Sequence, residues 1–151
     1  MLYTLHYDYL CPGPTGSLFE VMSTNTSPIA NLGEDQLLSC NLNKEDQESK
    51  LTRVSVTWAK QELKGVVYHY EHGAADLKEQ NSEFRGRTEL FHDAFPDGNF
   101  SLLLRVVRQS DAGVYTCTVS SSGGGGKVNI NLRTAGTRLS SFTVCYEDLS
   151  L

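Results

Sequence analysis

None of the four cysteines, Cys11, Cys40, Cys117 and Cys145, belongs to a CxxC pair, which leaves no zinc knuckle and no thioredoxin-type redox motif. No apolar run approaches the roughly 20 residues that a membrane-crossing helix requires. Lys and Arg nowhere cluster, and 18 acids against 13 bases give a formal charge of -5. The concentrated basic surface that binds phosphate backbones is therefore missing, and nucleic acid is not an expected partner. No long segment keeps a helical period and no internal repeat is present. The opening MLYTLHYDYLCPGP lacks the basic start of a secretory leader, and Asp8 interrupts its apolar stretch.

What remains is ordinary in bulk. The chain has 151 residues, 39% of them apolar, enough for one domain with a real core and hardly enough for two. Widely spaced single cysteines suit an oxidising compartment. That setting and the weak leader are reconciled if the chain is a fragment, or an imperfect gene model, of a longer surface protein.

Residues 1–17, with Pro12, Gly13, Pro14 and Gly16, read as a disordered lead-in. Residues 18–134 read as one domain, and 135–151 as a tail too short to be another. Within the domain, short apolar stretches alternate with turn-forming clusters, which predicts strands near 19–22, 36–42, 53–60, 66–71, 88–91, 100–107, 114–120 and 127–132. The polar stretch ending at Ser82 fits a helical turn, an edge strand or a loop. Alternation puts Val54, Val56 and Trp58 on one face, as it does Leu38, Cys40 and Leu42, then Tyr115, Cys117 and Val119, then Val128, Ile130 and Leu132. These sets build the core of an all-β antiparallel sandwich. The residues between them, including Ser55, Thr57, Ala59, Thr116, Thr118, Ser120, Asn129 and Asn131, give the opposite face a small, flat, polar character.

The stretch SDAGVYTC, Ser110 to Cys117, carries the most information. Asp111 and Gly113 suit a tight corner, and Val114, Thr116 and Val119 favour the strand that follows. Tyr115 and Cys117 share a face, so a buried Cys117 implies a buried tyrosine whose hydroxyl needs an acceptor nearby. Cys40 and Cys117 stand 77 positions apart with Trp58 between them. Cys, Trp and then Tyr-x-Cys is the arrangement of a sandwich pinned by a disulfide, with an indole packed on it and a tyrosine corner beside it. The long separation leaves room for an extra pair of strands, which favours the variable (V-set) Greek-key form of the immunoglobulin-like sandwich. Two buried free thiols are the alternative reading of the same cysteines.

Four stretches carry a resemblance to a known family: NLGEDQLLSC ahead of Cys40, FRGRTELF at 84–91, GNFSLLL at 98–104, and SDAGVYTC itself. Over about residues 18–134 the chain resembles the V-set immunoglobulin domains of the butyrophilin-like and B-seven co-signalling ligands. The resemblance implies that Arg87 pairs with Asp111 across the bottom of the sandwich. It also implies display on the external side of the plasma membrane, through a span that this chain lacks, with a C-type domain after the V domain. The partner it implies is a receptor on lymphocytes, with the domain a monomer or a weak dimer and the signal co-inhibitory. A homophilic adhesion protein of the same fold is the rival reading, and an enzyme built on a sandwich is a more distant one.

Such domains bind through the front sheet and the loop joining its last two strands, here SSSGGGGKV. Gly123, Gly124, Gly125 and Gly126 read either as a floppy hairpin connection or as a loop that adapts on contact. They do not form a phosphate loop, because Ser121 stands where that motif needs glycine and Val128 where it needs Ser or Thr. VVYHYEH places Tyr68 and Tyr70 on one strand face and Val67 and His69 on the other, and from the pattern alone either face can pack inward. By analogy with the family's front sheet, Tyr68 and Tyr70 are expected to be exposed and to bind the receptor with Thr116, Thr118 and the glycine loop. His69 and His72, three apart on a strand, point to opposite faces, so no metal site is expected. No cofactor is expected either, and no nucleophile elbow suggests catalysis. Asn25 and Asn99 begin N-glycosylation acceptors, Asn25-Thr26-Ser27 with Pro28 just after it and Asn99-Phe100-Ser101. The scarcity of large apolar residues on the front face points to a modest, transient contact.

Overall fold

A computed structural model describes residues 20–43 and 53–136. Cys11, Cys145, the lead-in and most of the tail lie outside the described residues. Among the described residues eleven strands follow in order: β1 (Val21–Met22), β2 (Ile29–Asn31), β3 (Gln36–Leu38), β4 (Asn41–Leu42), β5 (Ser55–Lys60), β6 (Tyr68–Glu71), β7 (Ala74–Ala75), β8 (Thr88–Leu90), β9 (Leu102–Leu104), β10 (Gly113–Ser121) and β11 (Gly124–Ala135). The front sheet runs β2-β11-β10-β5-β6-β7, with every pair antiparallel except β2 against β11. The back layer is β3-β9-β8 together with the β1-β4 pair. Among the described residues, the connections include single turns of 3-10 helix at Ser82–Phe84 and Gln109–Asp111 and about two turns at His92–Asp97.

The inward sets meet as their alternation requires. Leu38, Cys40 and Leu42 from one layer face Val56, Trp58, Tyr115, Cys117, Val119, Ile130 and Leu132 from the other, all buried. Val54 and Val128 are partly buried against the same core. Cys40 and Cys117 are joined by a disulfide that pins the two sheets, with Cα atoms 6.5 Å apart. Trp58 lies opposite Cys117 in register, and its indole N–H donates to the Phe100 carbonyl of the other layer at 3.0 Å. The only polar atom of this large ring is thus satisfied inside the core, as burial demands.

Several elements differ from the strand pattern expected of the sequence. The single strand at 36–42 is split at Ser39 and Cys40, where the Cys40 amide donates to the buried Ser101 hydroxyl instead of to a neighbouring strand. Strands β2 and β7, two or three residues long, are recruited by their partners: Ile29–Asn31 by the end of β11, and Ala74–Ala75 by β6. The stretch ending at Ser82 holds no helical turn before Ser82. It leaves the edge strand β7 and returns along Val66, with the Val66 amide donating to the Glu79 carbonyl.

Candidate functional site

Two constellations stand out, one at the base of the sandwich and one on the outer face of the front sheet. At the base, Arg87 precedes β8 and Asp111 closes the 3-10 turn that feeds β10. Both side chains are nearly buried, and the guanidinium meets both carboxylate oxygens, with Nη1 to Oδ1 at 3.1 Å. Arg87 also donates to the carbonyls of Glu83 and Val106. Asp111 Oδ2 accepts the Arg108 amide, and the Tyr115 hydroxyl donates to the Asp111 carbonyl at 2.6 Å. The acceptor that Tyr115 needs is therefore four residues behind it. Burial, and next the Asp111 carboxylate, push the Tyr115 phenol far above the ordinary tyrosine range.

Lys60 closes this corner from β5. Its ammonium donates to the Ser110 carbonyl at 2.7 Å and lies 5.8 Å from the centre of the Tyr115 ring. The stem crosses Gly113 so closely that an added Cβ would meet Lys60 Cε at 2.9 Å, and Gly113 itself has φ +144°. The Lys60 stem can move aside for a Cβ, so it is the positive φ that favours glycine here.

The outer face of the front sheet follows from register. Residues opposite one another in an antiparallel pair share a face. Thr118 lies between Lys127 and Thr57, Thr116 between Asn129 and Ala59, and Ser120 between Gly125 and Ser55. Thr57 pairs in turn with His69. Between Lys127 on one side and His69 on the other, the centre of the face is thus Ser, Thr, Ala, Asn and Gly, and Thr116 donates to the Asn129 side-chain oxygen at 2.8 Å.

The expectation that Tyr68 and Tyr70 stand on this face is overturned. Tyr68 pairs with Trp58 and Tyr70 with Val56, so both point inward with those core residues. Tyr68 is only 7% exposed, and burial, then the Glu89 carboxylate, raise its pKa. Tyr70 packs against the core, 4.6 Å from the His92 ring and 4.9 Å from that of Phe95. Val67, just before β6, is fully buried in the same core cluster, and its carbonyl accepts from the Gln80 side chain.

The glycine run differs too. Gly124, Gly125 and Gly126 are strand residues of β11, paired with Ser121, Ser120 and Val119, and only Ser122 and Gly123 form the turn. A Cβ on Gly125 would meet the Val119 carbonyl oxygen at 3.0 Å. These glycines keep two strands flush rather than supplying a long loop.

Sequence reasoning missed the group that holds the outer face near its β7 edge. His69 Nδ1 lies 2.8 Å from Thr57 Oγ1, and its Nε2 lies 3.3 Å from Glu71 Oε2. His72, just past the strand end, also approaches that carboxylate, at 4.0 Å. Among the described residues no group of three or more metal-ligating side chains is arranged to hold an ion. Thr57, Val66, His69, Asp76 and Glu79 surround a cavity of about 320 Å³. The alternation of VVYHYEH does place His69 opposite the tyrosines, and that was the available signal. Asn25 is exposed, with its side-chain oxygen accepting the Ser27 amide. Asn99 is half-buried beside β4, and its side-chain oxygen accepts the amide of the buried Ser101.

A two-layer sandwich with a pinned disulfide, a buried indole, a tyrosine corner and an added β6-β7 edge defines the variable class of immunoglobulin domain. The family model for the Immunoglobulin V-set domain matches residues 23–140, and the chain belongs to that family. Among its relatives is the V-set domain-containing T-cell activation inhibitor 1 of Rattus norvegicus, 37% identical over 134 residues, which covers 89% of this chain and 46% of the relative. The Homo sapiens protein of that name is 35% identical over 123 residues, covering 82% of this chain and 43% of the relative. The chain thus spans less than half the length of these relatives. The crystal structure of the human B7-H4 IgV-like domain superposes with a TM-score of 0.70 at 35% identity, over 78% of this chain and 98% of that one. Bovine butyrophilin, at 24% identity and a TM-score of 0.67 over 78% of this chain and 54% of that one, shares the fold.

Proposed function

We propose that this chain is the recognition domain of a cell-surface co-signalling ligand, co-inhibitory in sign, which lays the outer face of its front sheet on a receptor carried by T cells. It acts by binding and performs no chemistry of its own. The observation that supports this most directly is the outer face itself: a broad, flat array centred on Thr57, Thr116 and Thr118, backed by a rigid core, in a chain whose relatives are named T-cell activation inhibitors. Binding regions of this kind exclude water over a wide patch while a few anchors supply most of the energy. With small residues at its centre, the contact is modest and short-lived.

The reading places the domain outside the cell, where its disulfide persists. Glycosylation at Asn25 and Asn99 is compatible with it, because neither residue lies on the array centred on Thr118. The test is staining of activated T cells with a tetramer of the chain, together with cytokine output from T cells stimulated on surfaces coated with it. Staining with reduced cytokine output is the expected result. Absence of staining, or increased output, overturns the proposal.

A further inference from the structure

The proposed receptor-binding face has no large apolar side chain at its centre, where Thr57, Thr116 and Thr118 lie, so an apolar or long anchor for the contact is best supplied by the partner. Along the β6-β7 side of the face, the sheet opens into the cavity of about 320 Å³ between Thr57, Val66, His69, Asp76 and Glu79. Val66 and Thr57 give it an apolar and a hydroxyl-bearing wall, and two acidic residues, Asp76 and Glu79, line it as well. The Asp76 carboxylate is oriented by the Lys78 amide at 3.3 Å, while the Asp76 amide donates to the His69 carbonyl. Glu79 is fixed through its backbone, which accepts the Val66 amide. Glu71 adds a third carboxylate on the far side of the His69 ring. No Lys or Arg lines the cavity. On the other side of the face the charge has the opposite sign, with Lys127 exposed beside Thr118.

We infer that this cavity receives a basic side chain, an arginine or a lysine, presented by the receptor, and that it is the anchor point of the front-sheet contact. The occupant follows from shape and charge together. A long side chain with an apolar stem and a cationic head lays the stem on Val66 and brings the head to Asp76 and Glu79, in the way such side chains bury their stems and keep their charge at a polar edge. An acidic anchor would meet like charge from Asp76 and Glu79, and a purely apolar one would leave that charge unused. The inference rests on the proposed front-sheet reading and adds the chemistry of the partner.

The test uses tetramers of the full chain on activated T cells, comparing the unaltered protein, Asp76→Asn/Glu79→Gln, and Thr118→Arg, which thrusts bulk into the centre of the sheet. Thermal melts of all three establish that the variants are folded. Loss of staining with Thr118→Arg, together with at least tenfold weaker staining by the double variant and a flattened dependence on salt, supports the inference. If Thr118→Arg abolishes staining and the double variant binds as well as the unaltered chain, the basic anchor is wrong and the front sheet stands. If neither variant changes staining, or the unaltered chain does not stain, the front-sheet reading falls and the anchor falls with it.

Discussion

The base of this sandwich and the outer face of its front sheet are both polar, and they use polarity in opposite ways. At the base, Arg87, Asp111, Tyr115 and Lys60 converge within one small volume, and the first three are buried. Asp111 is the hub, bonded to Arg87 through its carboxylate and to Tyr115 through its carbonyl, so removal of Arg87 leaves a buried charge unpaired. On the outer face, Ser55, Thr57, Thr116, Thr118 and Ser120 are spread over two strands, β5 and β10, whose backbones already satisfy one another. A side chain can be changed there without stranding a buried partner. The first arrangement spends polar groups on specifying the fold, and the second leaves them for something outside it.

The largest break in this comparison removes what holds the sheets together behind both regions. Replacing Cys40 and Cys117 with alanine, or reducing the bond, is expected to lower stability by about 4.5 kcal/mol on the chain-entropy argument for so long a loop, read as a fall in the chemical-denaturation midpoint. Arg87→Ala ranks next, at about 3–5 kcal/mol, because it leaves the Asp111 carboxylate buried without its cation. Arg87→Lys restores little of this, since a single ammonium cannot reproduce the paired contacts with Asp111 and the donation to the Glu83 and Val106 carbonyls. Denaturant unfolding of the two variants checks both expectations.

Most of the base was legible in the sequence because its parts lie close together along the chain. Asp111, Gly113, Tyr115 and Cys117 occupy one turn and the strand leaving it, so alternation alone fixes which side each takes. The pairing of Arg87 with Asp111 came from family resemblance. The outer face was only half legible. The small polar residues of β5, β10 and β11 were assigned to it correctly by alternation from Trp58, Cys117 and Ile130. The side taken by Tyr68 and Tyr70 depends on the number of residues in the β5-β6 connection and on the turn they form, and alternation within VVYHYEH carries no information about that. The glycines of β11 were read as loop for a related reason: an intrinsically poor strand former is held in place by the ladder to β10. Strands as short as β2 and β7 exist only through their partners, so propensity could not find them.

The intermediate effects sharpen the account of the base. Tyr115→Phe deletes the hydroxyl that donates to the Asp111 carbonyl, and it is expected to cost about 1–2 kcal/mol at neutral pH. Its pH dependence has a definite sign. The phenol's pKa is raised in the folded state, so its contribution is complete below the unfolded-chain value of about 10 and declines as pH rises beyond it. Stability measured between neutral pH and about pH 11 should therefore fall less steeply in Tyr115→Phe than in the unaltered chain. Val106 supplies an effect in the other direction. It is a β-branched residue at φ 47°, 56% exposed, held there because its amide donates to Asp35 and its carbonyl accepts from Arg87. Val106→Asn keeps both backbone contacts in a residue that tolerates this conformation, and should raise stability by about 1 kcal/mol.

The smallest expected effect on stability is the one that tests the other half of the comparison. Thr118 is exposed in the middle of β10, and its neighbours across the strands, Lys127 and Thr57, are joined to it by backbone pairing. Thr118→Arg adds bulk and charge to a face with no lid, and should change unfolding free energy by no more than about 0.5 kcal/mol. The same substitution should abolish capture of T cells by the tetramer, because a projecting side chain at the centre of a flat contact holds the two surfaces apart. Stability and recognition are then separable at this residue, whereas at Arg87 they cannot be. A large loss of stability in Thr118→Arg would mean that the outer face belongs to the folding machinery as the base does, and the division between the two regions would not hold.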